Sequence, residues 1–185
     1  ACNGAISHIN DWLLLRPIFK DGRLIAYAAM FGHMTDVGGK VPGSLPTDAR
    51  EIFEEGIRVP PLKIFKNDEL QTDVLNLILH NSRMPTWNRS DFNALVAAMR
   101  TAEKRVIEMA ERFGDDEYYS ALDELLARNK RAMGRLIKDT VPTKKQHFED
   151  YICDDGLGMG PYRIKCSMWR DKDKVIFDFD GTDPQ

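Results

Sequence analysis

Cysteine is scarce in this chain. Cys2, Cys153 and Cys166 are the only three, and no two form a C-x-x-C pair. An odd, sparse set argues against a disulfide framework and points to reduced thiols in a cytoplasmic protein. Long apolar runs are lacking as well. Nothing approaches the ~20 apolar residues that a bilayer crossing needs, and no signal-peptide pattern is present. Positive charge is not in excess. The formal net charge of -3 removes the electrostatic case for nucleic acid. Internal repeats and low-complexity tracts are missing. What is present, 43% hydrophobic and 30% charged residues, is globular composition, and 185 residues suit one domain or part of one.

The stretch that organises the rest is Ser7-His8-Ile9-Asn10-Asp11, taken with Phe31-Gly32-His33-Met34-Thr35-Asp36-Val37-Gly38-Gly39. Between them lie two mostly apolar runs, Trp12–Phe19 and Arg23–Met30, joined through Asp21-Gly22. Asp-Gly between such runs predicts a β-hairpin with a two-residue loop. A regular ladder then sets Asn10 opposite His33 and His8 opposite Thr35. His8 and His33 share a face in that register, while Asp11 points the other way unless the chain bulges or curls. Pro17 makes an edge position or a bulge plausible.

Two imidazoles and a carboxylate are the donors of a catalytic divalent-metal site with an open position. Asp36 is a candidate fourth ligand, or a partner to an imidazole N–H. The same residues also read as polar strand ends and a turn, and spacing alone leaves both readings open.

The loop Asp36–Pro46 is rich in Gly and Pro. Gly38-Gly39-Lys40 can offer N–H groups and an ammonium to an anion, but the Walker spacing is absent, and a tight turn bordering the site is favoured. Thr47 or Asp48 caps a short helix that Gly56 ends, and Arg58–Phe65 reads as extended. Asn67 is expected to cap the next helix, with His80 near its C-terminus in a structural role. Ser90 is expected to cap a long helix from Asp91 to about Phe113, ended by Gly114. Its stripe includes Phe92, Leu95, Val96 and Met99. A second, from about Asp116 to Lys138, carries Leu122, Leu125, Leu126 and Met133. The short connection predicts an antiparallel helical hairpin. Phe148–Cys153, Tyr162–Arg170 and Val175–Asp180 then read as strands, with Cys166 in the core and His147 lacking an obvious partner. Asp178 and Asp180 share a strand face, best read as solvated. The order predicts an α+β fold: a metal-site hairpin and loop over 1–65, a helical part over 66–140, and β-strands over 141–185.

His8-Ile9-Asn10-Asp11, then His33-Met34-Thr35-Asp36-Val37-Gly38-Gly39, Pro42-Gly43-Ser44 and Glu51-Ile52-Phe53-Glu54-Glu55-Gly56, resemble the hydantoinase B/oxoprolinase family. That family includes the metal-bearing subunits of acetone and acetophenone carboxylases. The resemblance extends to Asp178-Phe179-Asp180-Gly181-Thr182-Asp183-Pro184-Gln185 and is densest over residues 8–64. Family subunits are longer, so it implies one partial domain of a larger subunit. It also implies that His8, Asp11 and His33 hold a divalent metal, Zn or Mn, and it names no catalytic residue.

The expected partner is a hydantoinase A-like subunit that binds Mg-ATP and phosphorylates the substrate, in a hetero-oligomer without membrane or nucleic acid. Two chemistries are implied: ring opening of cyclic amides such as hydantoin or oxoproline, and carboxylation of a ketone with bicarbonate. Met34 stands where the hydrolase group usually carries a second His, which tilts the expectation toward an acetophenone- or acetone-type ketone carboxylase. Asp36-Val37-Gly38-Gly39 and Glu51–Gly56 look more like the hydrolases. A structural, metal-stapled interaction module is the remaining alternative.

Overall fold

The computed structural model describes residues 8–184. Cys2, Ile6, Ser7 and Gln185 lie outside the described residues. The fold is α+β and divides into two compact units, residues 1–112 and 113–185.

The first unit opens with the hairpin β1 (Asp11–Lys20) and β2 (Arg23–His33). Asp21 and Gly22 have φ of 50° and 75°, the mirror-image turn that Asp-Gly favours. The ladder begins in the expected register, Lys20 opposite Arg23 and Phe19 opposite Leu24. It then slips: Ile18 pairs with Ala26, so Ile25 is an extra residue in β2. Beyond this bulge every pair is offset by one from the regular ladder, and Asp11 lies opposite His33. The bulge sits nearer the turn than Pro17, where the sequence pointed.

One hairpin face packs inward. Ile18 and Ala28 are buried with Met99, and Trp12 and Leu14 pack toward Leu75, Leu79 and Phe92. Arg16 shares this face and is fastened by Glu103 at 2.8 Å and Asp68 at 2.7 Å. The opposite face carries exposed Leu13, Leu15, Tyr27 and Phe31, ending in Asp11 and His33.

After a 3-10 turn, Ile52–Glu54, come two short strands, β3 (Phe65–Lys66) and β4 (Glu69–Leu70). Asn67 is not a helix cap. Asn67 and Asp68 have φ of 50° and 61° and form the turn between these strands, a conformation Asn and Asp tolerate. Helix α1 (Thr72–Leu79) starts after Gln71, and His80 stands exposed at its C-terminal cap. Helix α2 (Pro85–Phe113) begins six residues earlier than Ser90 suggested. Pro85 fits its first position, where the missing N–H costs nothing. Ser90 lies inside the helix and donates to Thr86 O at 3.2 Å.

The second unit holds helix α3 (Asp115–Thr140) and a sheet of β5 (Gln146–Ile152), β6 (Tyr162–Asp171) and β7 (Lys174–Asp178) in sequential antiparallel order. Three acidic residues in the first turn of α3 suit its dipole. Its apolar stripe is exposed at Leu125, Leu126, Met133 and Leu136. Ser167, not Cys166, is the buried residue of β6, and it partners His147 Nδ1 at 3.0 Å. Asp178 pairs with Lys145 at 2.8 Å. No helix among the described residues is long and apolar enough to cross a membrane.

Candidate metal centre

The open end of the hairpin brings His8, Asp11 and His33 together. The bulged register sets Asp11 across from His33, with Oδ1 2.7 Å from Nδ1. Asp11 is buried, while the His33 side chain is 43% exposed, so one ring edge faces outward. The chain turns just before β1, where Asp11 N–H donates to His8 O at 3.1 Å. That turn brings the His8 ring edge-on to His33, centroids 5.9 Å apart.

Burial opposes ionisation of Asp11. The hydrogen bond and positive field of His33, with contributions from His8, outweigh it and hold the carboxyl below its usual range. The result is a buried carboxylate against one imidazole with a second alongside.

The donor chemistry fits a divalent metal: two borderline nitrogen donors and one ionised oxygen donor. The 2.7 Å separation is that of a hydrogen bond, and a His–carboxylate pair is the usual device for fixing an imidazole's tautomer. The third donor is adjacent, not convergent: no group of three His, Cys, Asp or Glu among the described residues is drawn in tightly enough to enclose an ion.

Asp36 has a different task from the one expected of it. It is buried, and both carboxylate oxygens are occupied. Oδ1 accepts from Gly38 N–H at 3.0 Å and Arg83 N–H at 2.9 Å; Oδ2 accepts from Gly43 N–H and the Arg83 guanidinium, each at 2.9 Å. Burial pushes its pKa up, and these four donors outweigh it and pull it below the normal carboxylate value. Asp36 therefore organises the loop instead of joining the imidazoles.

Lys40 is also engaged, between Asp48 at 3.0 Å and Glu54 at 3.3 Å. Gly39 is close-packed: with φ of 79°, a Cβ there would collide with the Glu54 and Glu55 backbone.

Four contributors escaped the sequence reading. Arg83 donates to the carbonyls of Gly38, Gly39 and Val41 as well as to Asp36. Ser44 donates to Gly38 O at 2.6 Å and accepts from Val37 N–H at 2.8 Å. Asn88 donates to Asp36 O at 2.6 Å. Asn10, fully buried, donates to Met34 O at 2.9 Å and Gly43 O at 3.1 Å, which ties the loop to the turn that holds His8 and Asp11. The available signal was Asn88, a polar residue four before Phe92 on the buried stripe; misplacing the helix start concealed it.

The family model for hydantoinase B/oxoprolinase matches residues 1–185. The caprolactamase subunit beta of Pseudomonas jessenii is 35% identical over 162 residues, 88% of this chain and 28% of that protein. The acetophenone carboxylase delta subunit of Aromatoleum aromaticum is 29% identical over 181 residues, 96% of this chain and 26% of that one. The crystal structure of ATP-dependent caprolactamase from P. jessenii matches with a TM-score of 0.88 at 32% identity, covering 97% of this chain and 31% of that one. The chain thus spans less than a third of each of these relatives, and throughout its length it belongs to the hydantoinase B/oxoprolinase family.

Proposed function

We propose that this chain forms the metal-holding part of a subunit in an ATP-dependent enzyme acting on a small carbonyl compound. The observation that carries the reading is the Asp11–His33 pair at 2.7 Å with His8 beside it. His8, Asp11 and His33 hold one Zn or Mn. A bound divalent ion would supply Lewis-acid polarisation of a carbonyl or phosphoryl oxygen. The chain's own contribution is positional. Asp11, buried and ionised, fixes the His33 ring, and Asn10 locks the turn that delivers His8. A hydantoinase A-like partner binds Mg-ATP and activates the substrate, in keeping with the ATP-dependence named for the caprolactamase.

Of the two chemistries, cyclic amide hydrolysis is the better supported. The case for a carboxylase rested on Met34 standing where the hydrolase group usually carries a second His beside the metal. Met34 is buried, and its Cε lies 3.4 Å from where a Gly32 Cβ would project, beside Leu95 of α2. Gly32 and Met34 alternate with His33, so Met34 packs under the hairpin on the face away from the imidazole. The higher identity to the caprolactamase subunit favours the same branch. Ketone carboxylation is the second reading, kept by the 96% coverage against the acetophenone carboxylase subunit.

The test is a reconstituted complex of the full-length subunit and its partner, supplied with ATP and labelled bicarbonate. ε-Caprolactam, 5-oxoproline, acetophenone and acetone are offered in parallel. ATP-driven ring opening without fixed label supports the first reading. Label fixed into a β-keto acid replaces it with the second. ATP-independent turnover, or a metal-free active complex, contradicts both.

A further inference from the structure

Beside the His–Asp pair lies a cleft that the metal reading does not use. It runs along β1 with no residue of β2 in its lining, is open to one side and has a volume of about 420 Å³. Leu13, Leu15, Val59, Leu62, Ile78 and Phe92 are among its apolar lining. Its volume lies within the roughly 300–1,000 Å³ range of small-molecule sites. The segment that supplies Val59 and Leu62 is stiff, because the two consecutive prolines Pro60 and Pro61 fix its backbone.

Among the described residues, charge in this lining is confined to Asp11 and Arg58. The Arg58 guanidinium lies over the Phe53 ring, 5.5 Å from its centroid. Asp11 thus belongs to two features at once: it is bonded to His33, and it stands at the edge of an apolar cavity. A ligand seated here presents its polar group to the Asp11–His33 end and its carbon skeleton to the aliphatic walls. An anionic group at the Asp11 end of such a ligand would be desolvated among leucines and prolines and repelled by Asp11. Arg58, stacked over Phe53, is the one cation among the described lining residues that could offset this.

We infer that the cleft is the substrate's carbon-skeleton site, and that it selects uncharged carbonyl compounds with an apolar ring or chain over analogues carrying a carboxylate. This rests on the functional reading above, since it places the carbonyl end at the proposed metal donors. It adds the substrate class and makes Val59 and Leu62 specificity-determining residues.

The test separates binding from turnover. Binding of 4-fluoroacetophenone to the full-length subunit is followed by fluorine NMR, with ε-caprolactam and 5-oxoproline as competitors. Val59→Trp fills the cleft, and Leu62→Lys charges it; both side chains are exposed, so the fold tolerates the change. Metal content and circular dichroism of each variant are recorded alongside.

The expected result is binding that ε-caprolactam displaces and 5-oxoproline does not, weakened at least about tenfold in both variants with metal content unchanged. Binding unaffected by either variant overturns the proposal. So does preferred binding of 5-oxoproline that Arg58→Gln abolishes. If the probe binds as expected but no carbonyl compound is turned over, the cleft assignment stands and the enzymatic reading falls. If Val59→Trp turns over ε-caprolactam with unchanged KM, the enzymatic reading stands and the cleft assignment falls.

Discussion

Asp11 faces His33 directly across the β1–β2 ladder, Oδ1 to Nδ1 2.7 Å, because Ile25 is an extra residue in β2. A regular ladder from the Asp21-Gly22 turn would have set Asn10 there instead. The bulge therefore brings a carboxylate, not an amide, to the imidazole. The same slip pairs Leu13 with Phe31 on the exposed face. NMR of the protein should show strong contacts between the Leu13 methyls and the Phe31 ring, with Met30 directed to the other face. Leu13 contacting Met30 instead would restore the regular register and dissolve the pair.

Asp36 holds the loop beneath the site through four donors. Asp36→Asn keeps the shape but removes the charge facing Arg83, and should cost about 2–3 kcal/mol at neutral pH. The pH dependence has a definite sign. The folded pKa is depressed, so the stabilisation is complete above the unfolded value of about 3.9 and is lost as pH falls through the folded value. Denaturant titrations of wild type and Asp36→Asn should therefore converge as pH drops from about 5 toward 2. A difference that stays constant across that range would show that the charge is not what matters.

Gly39 has no room for a side chain. Its φ of 79° and the Glu54–Glu55 backbone against it both oppose a Cβ. Gly39→Ala should lower stability by more than about 1 kcal/mol, whereas Gly134→Ala, in open space within α3, should raise it by up to about 1 kcal/mol. Thermal melts of the two variants moving in the same direction would contradict the loop geometry.

The two long helices differ in how their stripes are used. Phe92 is 1% exposed and Leu125 54%. Phe92→Ala should cost about 3–5 kcal/mol. Leu125→Ala in this chain should stay within about 0.5 kcal/mol. Equal costs would mean that the α3 stripe is buried.

Much of the molecule was legible in its residues. The hairpin and its turn follow from Asp21-Gly22 between two apolar runs, and so does the arrival of His8, Asp11 and His33 at its open end; that Asp11 instead of Asn10 faces His33 does not. Both long helices follow from apolar residues at helical spacing, and the final strands from alternation. The bulge at Ile25 was not legible, because an extra residue is chosen by which side chains fit against Met99 and Val96, a tertiary matter. Asn67 misled because Asn suits both a helix cap and a left-handed turn, and only Phe65 pairing with Leu70 decides between them. Ser90 misled for a related reason: Pro85 was the stronger start signal. The work of Asp36, Arg83 and Asn88 depends on contacts some fifty residues apart, which local spacing does not report.

The proposal that His8, Asp11 and His33 hold one divalent ion is tested most directly by metal content. Elemental analysis of the purified full-length subunit should find about one Zn or Mn per chain. His8→Ala/His33→Ala should bring that to background, and Asp11→Asn should lower it strongly, with the hairpin intact by circular dichroism. Stoichiometric metal surviving in the double variant would contradict the proposed site.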